Sequence, residues 1–149
     1  LKVAYPMWYK KNLAITVVIV GNGLDLIVSN LKTKTNTNIQ KKVGRSLHPI
    51  PNSDLVSYIS KTNNDWEIRS LNPKTEETVK IINIQGEKED VCWLPNGTLL
   101  LAVDNKLMKF NPSKDTNWSV FHTFPKDKIN NISRIIVNKE GTLLALVSD

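Results

Sequence analysis

The sequence has few of the residues that staple or metallate a small fold. It holds 1 Cys and 2 His among 149 residues, whereas a disulfide needs a second thiol and a structural zinc takes about four such ligands. An internal disulfide and a Cys/His zinc site are therefore excluded, and no cofactor or metal is expected. No apolar run approaches the roughly 18 residues that carry a helix across a bilayer, so no membrane span is expected. There are 6 Gly, and the one closely spaced pair, Gly21-Asn22-Gly23, precedes no helix that would hold a phosphate, so it reads as a tight turn. Acidic residues are scarce in the first third, where Asp25 stands against eight Lys/Arg in residues 1–45. What is present is ordinary globular material, 40% hydrophobic and 23% charged, enough for one core and too little for two usual domains. We take residues 1–149 as one domain.

The net charge of +6 is concentrated in that first third. Lys32, Lys34, Lys41, Lys42 and Arg45 follow one another with no acid between them, a pattern that attracts phosphate or an acidic partner. They are mixed with Thr, Asn and Gln, as on a solvated strand, and no aromatic side chain is interleaved to stack on bases. The pattern therefore argues against nucleic acid. Leu1 reads as a cut start, and no signal-peptide pattern follows it.

The informative feature is repetition. Leu13, Leu55, Leu99 and Leu143 recur at spacings of 42, 44 and 44 residues (55 − 13, 99 − 55, 143 − 99), and each opens an apolar run. Each run follows a polar turn, and a short apolar segment precedes each turn: 4–9, 47–50, 91–94 and 132–137. That is a hairpin repeated four times. A third segment with alternating side chains follows at 24–28, 66–71 and 107–110, and a more polar fourth at 38–43, 78–84 and 118–124. The Asn- and Pro-rich turns Leu71-Asn72-Pro73 and Phe110-Asn111-Pro112 join the third to the fourth. Four-stranded units stacked by repetition are the blades of a β-propeller. The fold expected is all-β, a partial ring of about three and a half blades, with repeats near 1–45, 46–89, 90–130 and an incomplete 131–149. A β-sandwich would have regular strands but no reason for the Leu-led hairpin to recur at constant distance.

The stretch Trp93-Leu94-Pro95-Asn96-Gly97-Thr98-Leu99-Leu100, with Lys106-Leu107-Met108-Lys109-Phe110-Asn111-Pro112 after it, resembles the TolB-type, WD-like propeller repeats of bacterial extracytoplasmic proteins. Asn96 stands where those repeats carry Asp. The resemblance implies a β-propeller and a periplasmic or secreted location. At 44 residues per blade a six- or seven-bladed ring needs roughly 260–310 residues, so the chain reads as the C-terminal half of a larger propeller. Its expected partner is a protein or the missing N-terminal half.

Fold logic places binding at the mouth of the ring, on the connections entering each first strand and those joining second to third strands. The first kind contains Arg45, Ser46 and His48, then Glu89 and Asp90, then Asn131 and Arg134; the second contains Asn22, Asn63, Asp65, Asp104 and Asn105. Gly44-Arg45-Ser46-Leu47-His48 lacks the second Gly and the following helix of a nucleophile elbow. His48 and His122 fall on strands of different repeats, and His122 is expected to face solvent. Trp8, Trp66, Trp93 and Trp118 are read as core packing. No catalytic residue is assigned, and the reading leans away from an enzyme. The expected function is a non-catalytic scaffold for protein–protein contacts; the alternatives are a small-molecule or glycan binder, or half of a hydrolase or lyase site completed by further blades.

Overall fold

The computed structural model describes residues 2–148; Leu1, read above as a cut start, and Asp149 lie outside them. The described chain is β throughout, without a helix. Its strands are β1 (Val3–Lys10), β2 (Leu13–Val20), β3 (Gly23–Asn30) and β4 (Thr35–Gln40); β5 (Val43–Pro49), β6 (Val56–Ser60), β7 (Glu67–Leu71) and β8 (Thr78–Asn83); β9 (Val91–Trp93), β10 (Leu99–Val103), β11 (Lys106–Phe110) and β12 (Ser119–Thr123); and β13 (Ile132–Val137) with β14 (Leu144–Ser148). They form three four-stranded antiparallel sheets, each in simple sequence order, and one two-stranded sheet. This is the architecture of a partial β-propeller, and the four Leu-led runs are the second strands of separate sheets, as their spacing predicts.

The second strands have apolar side chains on both faces. β2 reads LAITVVIV and β10 reads LLLAV, and each contains four consecutive buried residues. The fourth strands are more open: all five residues of β12 are exposed, Val120 and Phe121 among them. The chain divides into two compact units, Leu1–Pro49 with Asp54–Asn83, and Ile50–Ser53 with Ile84–Asp149. In the first, Ile15, Val17, Leu26 and Val28 of one sheet pack with Val43, Val56, Tyr58 and Leu71 of the next. Alternation explains the selection, because these positions share one face of each strand. In the second, Cys92, Leu100, Ala102 and Leu107 pack with Ile132 and Ile135.

One device recurs at the turn from third to fourth strand. Asn30 Oδ1 accepts the N–H of Lys32 (3.0 Å), Asn72 Oδ1 that of Lys74 (3.0 Å), and Asn111 Oδ1 that of Ser113 (3.0 Å). The short amide side chain completes the turn in place of backbone, which is why Asn recurs there.

Two expectations need correction. The fourth strand expected at 38–43 is Thr35–Gln40, and Val43 opens β5. The chain reverses at Lys41-Lys42, where Lys42 takes a left-handed φ of 54°, a role usually marked by Gly or Asn. Trp8 is 72% exposed: Met7 and Tyr9 on either side of it face the core of the first unit, and alternation turns Trp8 away. Trp118, in contrast, leans on Phe110 with centroids 5.7 Å apart, and Lys61 lies 4.2 Å from the Trp66 ring.

Gly44 lies in β5 with no room for a side chain: a Cβ there would stand 3.0 Å from Cβ and 3.2 Å from Cγ2 of Ile59, which is fully buried. We expect Gly44→Ala to cost about 1–3 kcal/mol, the usual penalty of overpacking. A urea denaturation midpoint unchanged from the parent would refute this close approach.

Candidate functional site

Because each sheet is a meander, the β2–β3 connection and the connection leaving β4 lie at the same end of a blade, and the equivalents in the other blades follow. Most of the candidate residues come from this end. In the first unit, Arg45 and Ser46 are not in a loop as expected but inside β5, the first strand on which His48 also lies, as expected. Pairing with β6 jumps from Val43↔Ser60 to Leu47↔Tyr58, so Gly44, Arg45 and Ser46 occupy a bulge, a local widening that re-aims side chains. Ser46 is buried.

In the second unit, Glu89 and Asp90 precede β9, Asn131 precedes β13, and Arg134 lies on β13. The fold brings two of these together: Arg134 Nη1 donates to Asp90 Oδ2 at 3.0 Å and to the Ser133 carbonyl at 3.1 Å. The pair is 44 residues apart, one repeat, so it joins equivalent places on successive blades. Asp90 is the less accessible partner, its side chain 18% exposed against 49% for Arg134. The adjoining connections are tied by backbone bonds. Ile132 N–H donates to the Asp104 carbonyl (2.8 Å) and Phe124 N–H to the Asn105 carbonyl (2.9 Å). The buried Asn105 amide donates to the Phe124 carbonyl, and Lys88 Nζ stands 3.8 Å from Asp104 Oδ1. His122 lies on β12, at the far edge of the third sheet from Asp90, exposed and edge-on to Phe124 at 4.5 Å.

Cys92, next to this pair in β9, is the only thiol and is buried. Burial, reinforced by the charge of Asp90, pushes it up to about 12, so it is held as the protonated, unreactive thiol. Among the described residues, no three His, Cys, Asp or Glu side chains are grouped to hold a metal ion. Among the described residues no helix is long and apolar enough to cross a membrane.

The first unit contains polar networks that the sequence did not signal. Asp25, buried, accepts from Asn38 Nδ2 (3.0 Å) and from the Lys42 N–H (3.3 Å). Gln40 Oε1 accepts the Tyr58 hydroxyl at 2.7 Å, while its Nε2 donates to Ser60 and Thr62. Burial pushes the Tyr58 phenol up. Arg69, opposite Tyr58 on β7, holds Glu67 at 2.8 Å, and Lys80 stands 3.3 Å from the other Glu67 oxygen. Apart from Glu67 and Arg69, neighbours on one face of β7, these partners come from different strands, so no local motif announces them.

No family model matches the sequence, and no curated protein does. Solved structures do match. TolB from Acinetobacter baumannii superposes with a TM-score of 0.70 at 17% identity, over 99% of this chain and 38% of that one. The extracellular domain of the one-component system BT4673 from B. thetaiotaomicron gives 0.68 at 16% identity, over 98% and 20%. Pyrococcus horikoshii acylaminoacyl peptidase gives 0.54 at 13%, over 83% and 24%. The fold is TolB-like, and the chain spans well under half the length of each of these proteins.

Proposed function

We propose that the chain is a non-catalytic β-propeller scaffold that binds a protein partner through the connections around Asp90 and Arg134. The observation that supports this reading most is the ion pair itself. It holds two successive blades in fixed relation at the end where the loops gather, and a rigid, polar, partly exposed surface is what a docking partner needs. The inert Cys92 thiol agrees with a role without covalent chemistry. The match to part of TolB supports reading the chain as several blades of a larger ring, with the remaining blades as a further partner. The match to an extracellular domain supports a location outside the cytoplasm.

The test uses the complete gene product. Photo-crosslinkers at Glu89 and Asn131 identify the partner in cells, and binding is then measured with both proteins purified. We expect Asp90→Ala and Arg134→Ala each to weaken binding about tenfold, equivalent to about 1.4 kcal/mol, with melting temperature retained. Control substitutions at Lys114, on the β11–β12 turn at the other end of the same blade, should leave binding unchanged. Turnover in a hydrolase and lyase screen, lost in both variants while the fold is kept, would replace the scaffold by an active site shared with other blades.

A further inference from the structure

At the other end of the first unit, the sheet formed by β1–β4 and the turn joining β7 to β8 enclose a cavity of about 250 Å³. Its apolar lining is Leu13, Val28 and Pro73, and its polar lining includes Asn30, Thr37, Lys74 and Glu76. The turn wall is built rather than loose. Asn72 N–H donates to the Glu77 carbonyl (2.9 Å), Glu76 N–H to the Asn72 carbonyl (2.8 Å), and the Asn72 side chain accepts from Lys74 N–H. Glu76 is held at a φ of 64°, a conformation that costs a non-glycine residue energy and persists only where its surroundings impose it.

The polar groups have a definite donor and acceptor order. Asn30 Oδ1 is already used by the N–H groups of Lys32 and Thr33, so its amide offers donors only. Lys74 is held by Asp54 at 3.3 Å, and Asp54 also takes Lys10 at 3.1 Å, which leaves the Lys74 ammonium further N–H groups to give. Glu76 offers a carboxylate, and the Thr37 hydroxyl can give or accept. The two lining charges, Lys74 and Glu76, cancel, and Lys10 with the Asp54 carboxylate it shares with Lys74 adds no net charge, so the cavity favours a neutral occupant. Adjacent hydroxyls on a sugar ring each donate and accept, and the C–H face of the ring suits the apolar lining. The volume is below the roughly 300–1,000 Å³ of pockets for drug-sized ligands, enough for one ring and not a chain of them.

We propose that this cavity is a binding site for a single neutral pyranose, either free or as the terminal residue of a glycan. It is separate from the Asp90–Arg134 surface and goes beyond the scaffold reading. Saturation-transfer NMR on the full chain, with the methyl α-glycosides of glucose, galactose and mannose as probes, tests it. Ring-proton transfer is expected for at least one probe, falling at least fivefold in Thr37→Val and in Glu76→Gln while their melting temperatures match the parent. An immobilised glycan ending in that sugar should then bind more tightly than the methyl glycoside if the glycan is the source, and equally if the free sugar is. No transfer from any probe, or transfer undiminished in both variants, overturns the proposal. So does displacement of the sugar by millimolar inorganic phosphate, which would mean an anion site governed by Lys32 and Lys34 on the adjoining turn, or by butylamine, which would mean a cation site governed by Glu76.

Discussion

Replacing Leu100 with alanine is expected to destabilise the protein by about 2–5 kcal/mol, the range for deleting a large aliphatic side chain from a core that cannot collapse around the gap. Leu100 is 1% exposed and is the second residue of β10, opposite Cys92 on one side and Lys109 on the other. It is packed with Leu107 of its own sheet and with Ile132 and Ile135 of the next. The cavity would therefore open where the third sheet meets the β13–β14 hairpin. Leu100→Met, which keeps the volume, should cost less than about 1.5 kcal/mol. Urea denaturation of the two variants measures the difference. A cost below about 1 kcal/mol for the alanine variant would show that β13 is not seated on β10.

Removing the carboxylate of Glu67 is the second large effect. Its side chain is 13% exposed and that of Arg69 24%, and Arg69 lies against the buried Tyr58. Truncating Glu67 to alanine takes the carboxylate from the guanidinium, which keeps the Thr78 hydroxyl at 3.3 Å, and from the Lys80 ammonium, and we expect a loss of about 1.5–3 kcal/mol, the scale of a charged hydrogen bond. The double variant Glu67→Leu/Arg69→Met should recover much of it, because the less exposed guanidinium is then removed with its carboxylate, while the Lys80 ammonium, 47% exposed, is left to water. Acidity should show the same contact. Burial alone would raise the Glu67 carboxyl, but the hydrogen bonds and charges of Arg69 and Lys80 outweigh it and hold the group below its ordinary value of 4.5. A carboxyl lowered in the folded state gives stability that is whole above its unfolded pKa and is lost as pH falls through the folded one. Stability measured from pH 6 to pH 3 should therefore fall more steeply in the parent than in Glu67→Gln. Parallel curves would remove the ion pair from the account.

The sequence revealed the fold through its second strands and concealed the site for a related reason. A strand buried on both faces is apolar at most positions, and Leu13 and Leu99 open such strands, β2 and β10, without help from any partner. The Asn-Pro turns at Asn72 and Asn111 were equally legible, since an Asx turn is closed within a few residues. The boundary between β4 and β5 was not, because Lys42 takes a left-handed turn without being Gly or Asn, and Val43 reads as a continuing strand. Asp90 and Arg134 were each placed by loop logic, but their contact is a property of two blades stacked one repeat apart. Gln40 and Tyr58, and the cavity beneath Thr37 and Glu76, belong to the same class. Trp8 was misread because an aromatic residue on a strand has two faces to choose from, and Met7 and Tyr9 had already taken the inner one.

The strictly sequential strand order within each sheet also governs how the chain folds. Every paired residue meets its partner inside a single hairpin, even in pairs as wide as Leu13 with Asn30 or Lys106 with Thr123. Closing such short loops costs little chain entropy, and the rate of two-state folding rises as contacts become more local. A β-sandwich of the same length must bring together strands distant in sequence before any sheet is complete. Here each blade can be assembled from its own segment of chain, as repeat proteins do when folding nucleates in one unit and spreads to the neighbour it touches.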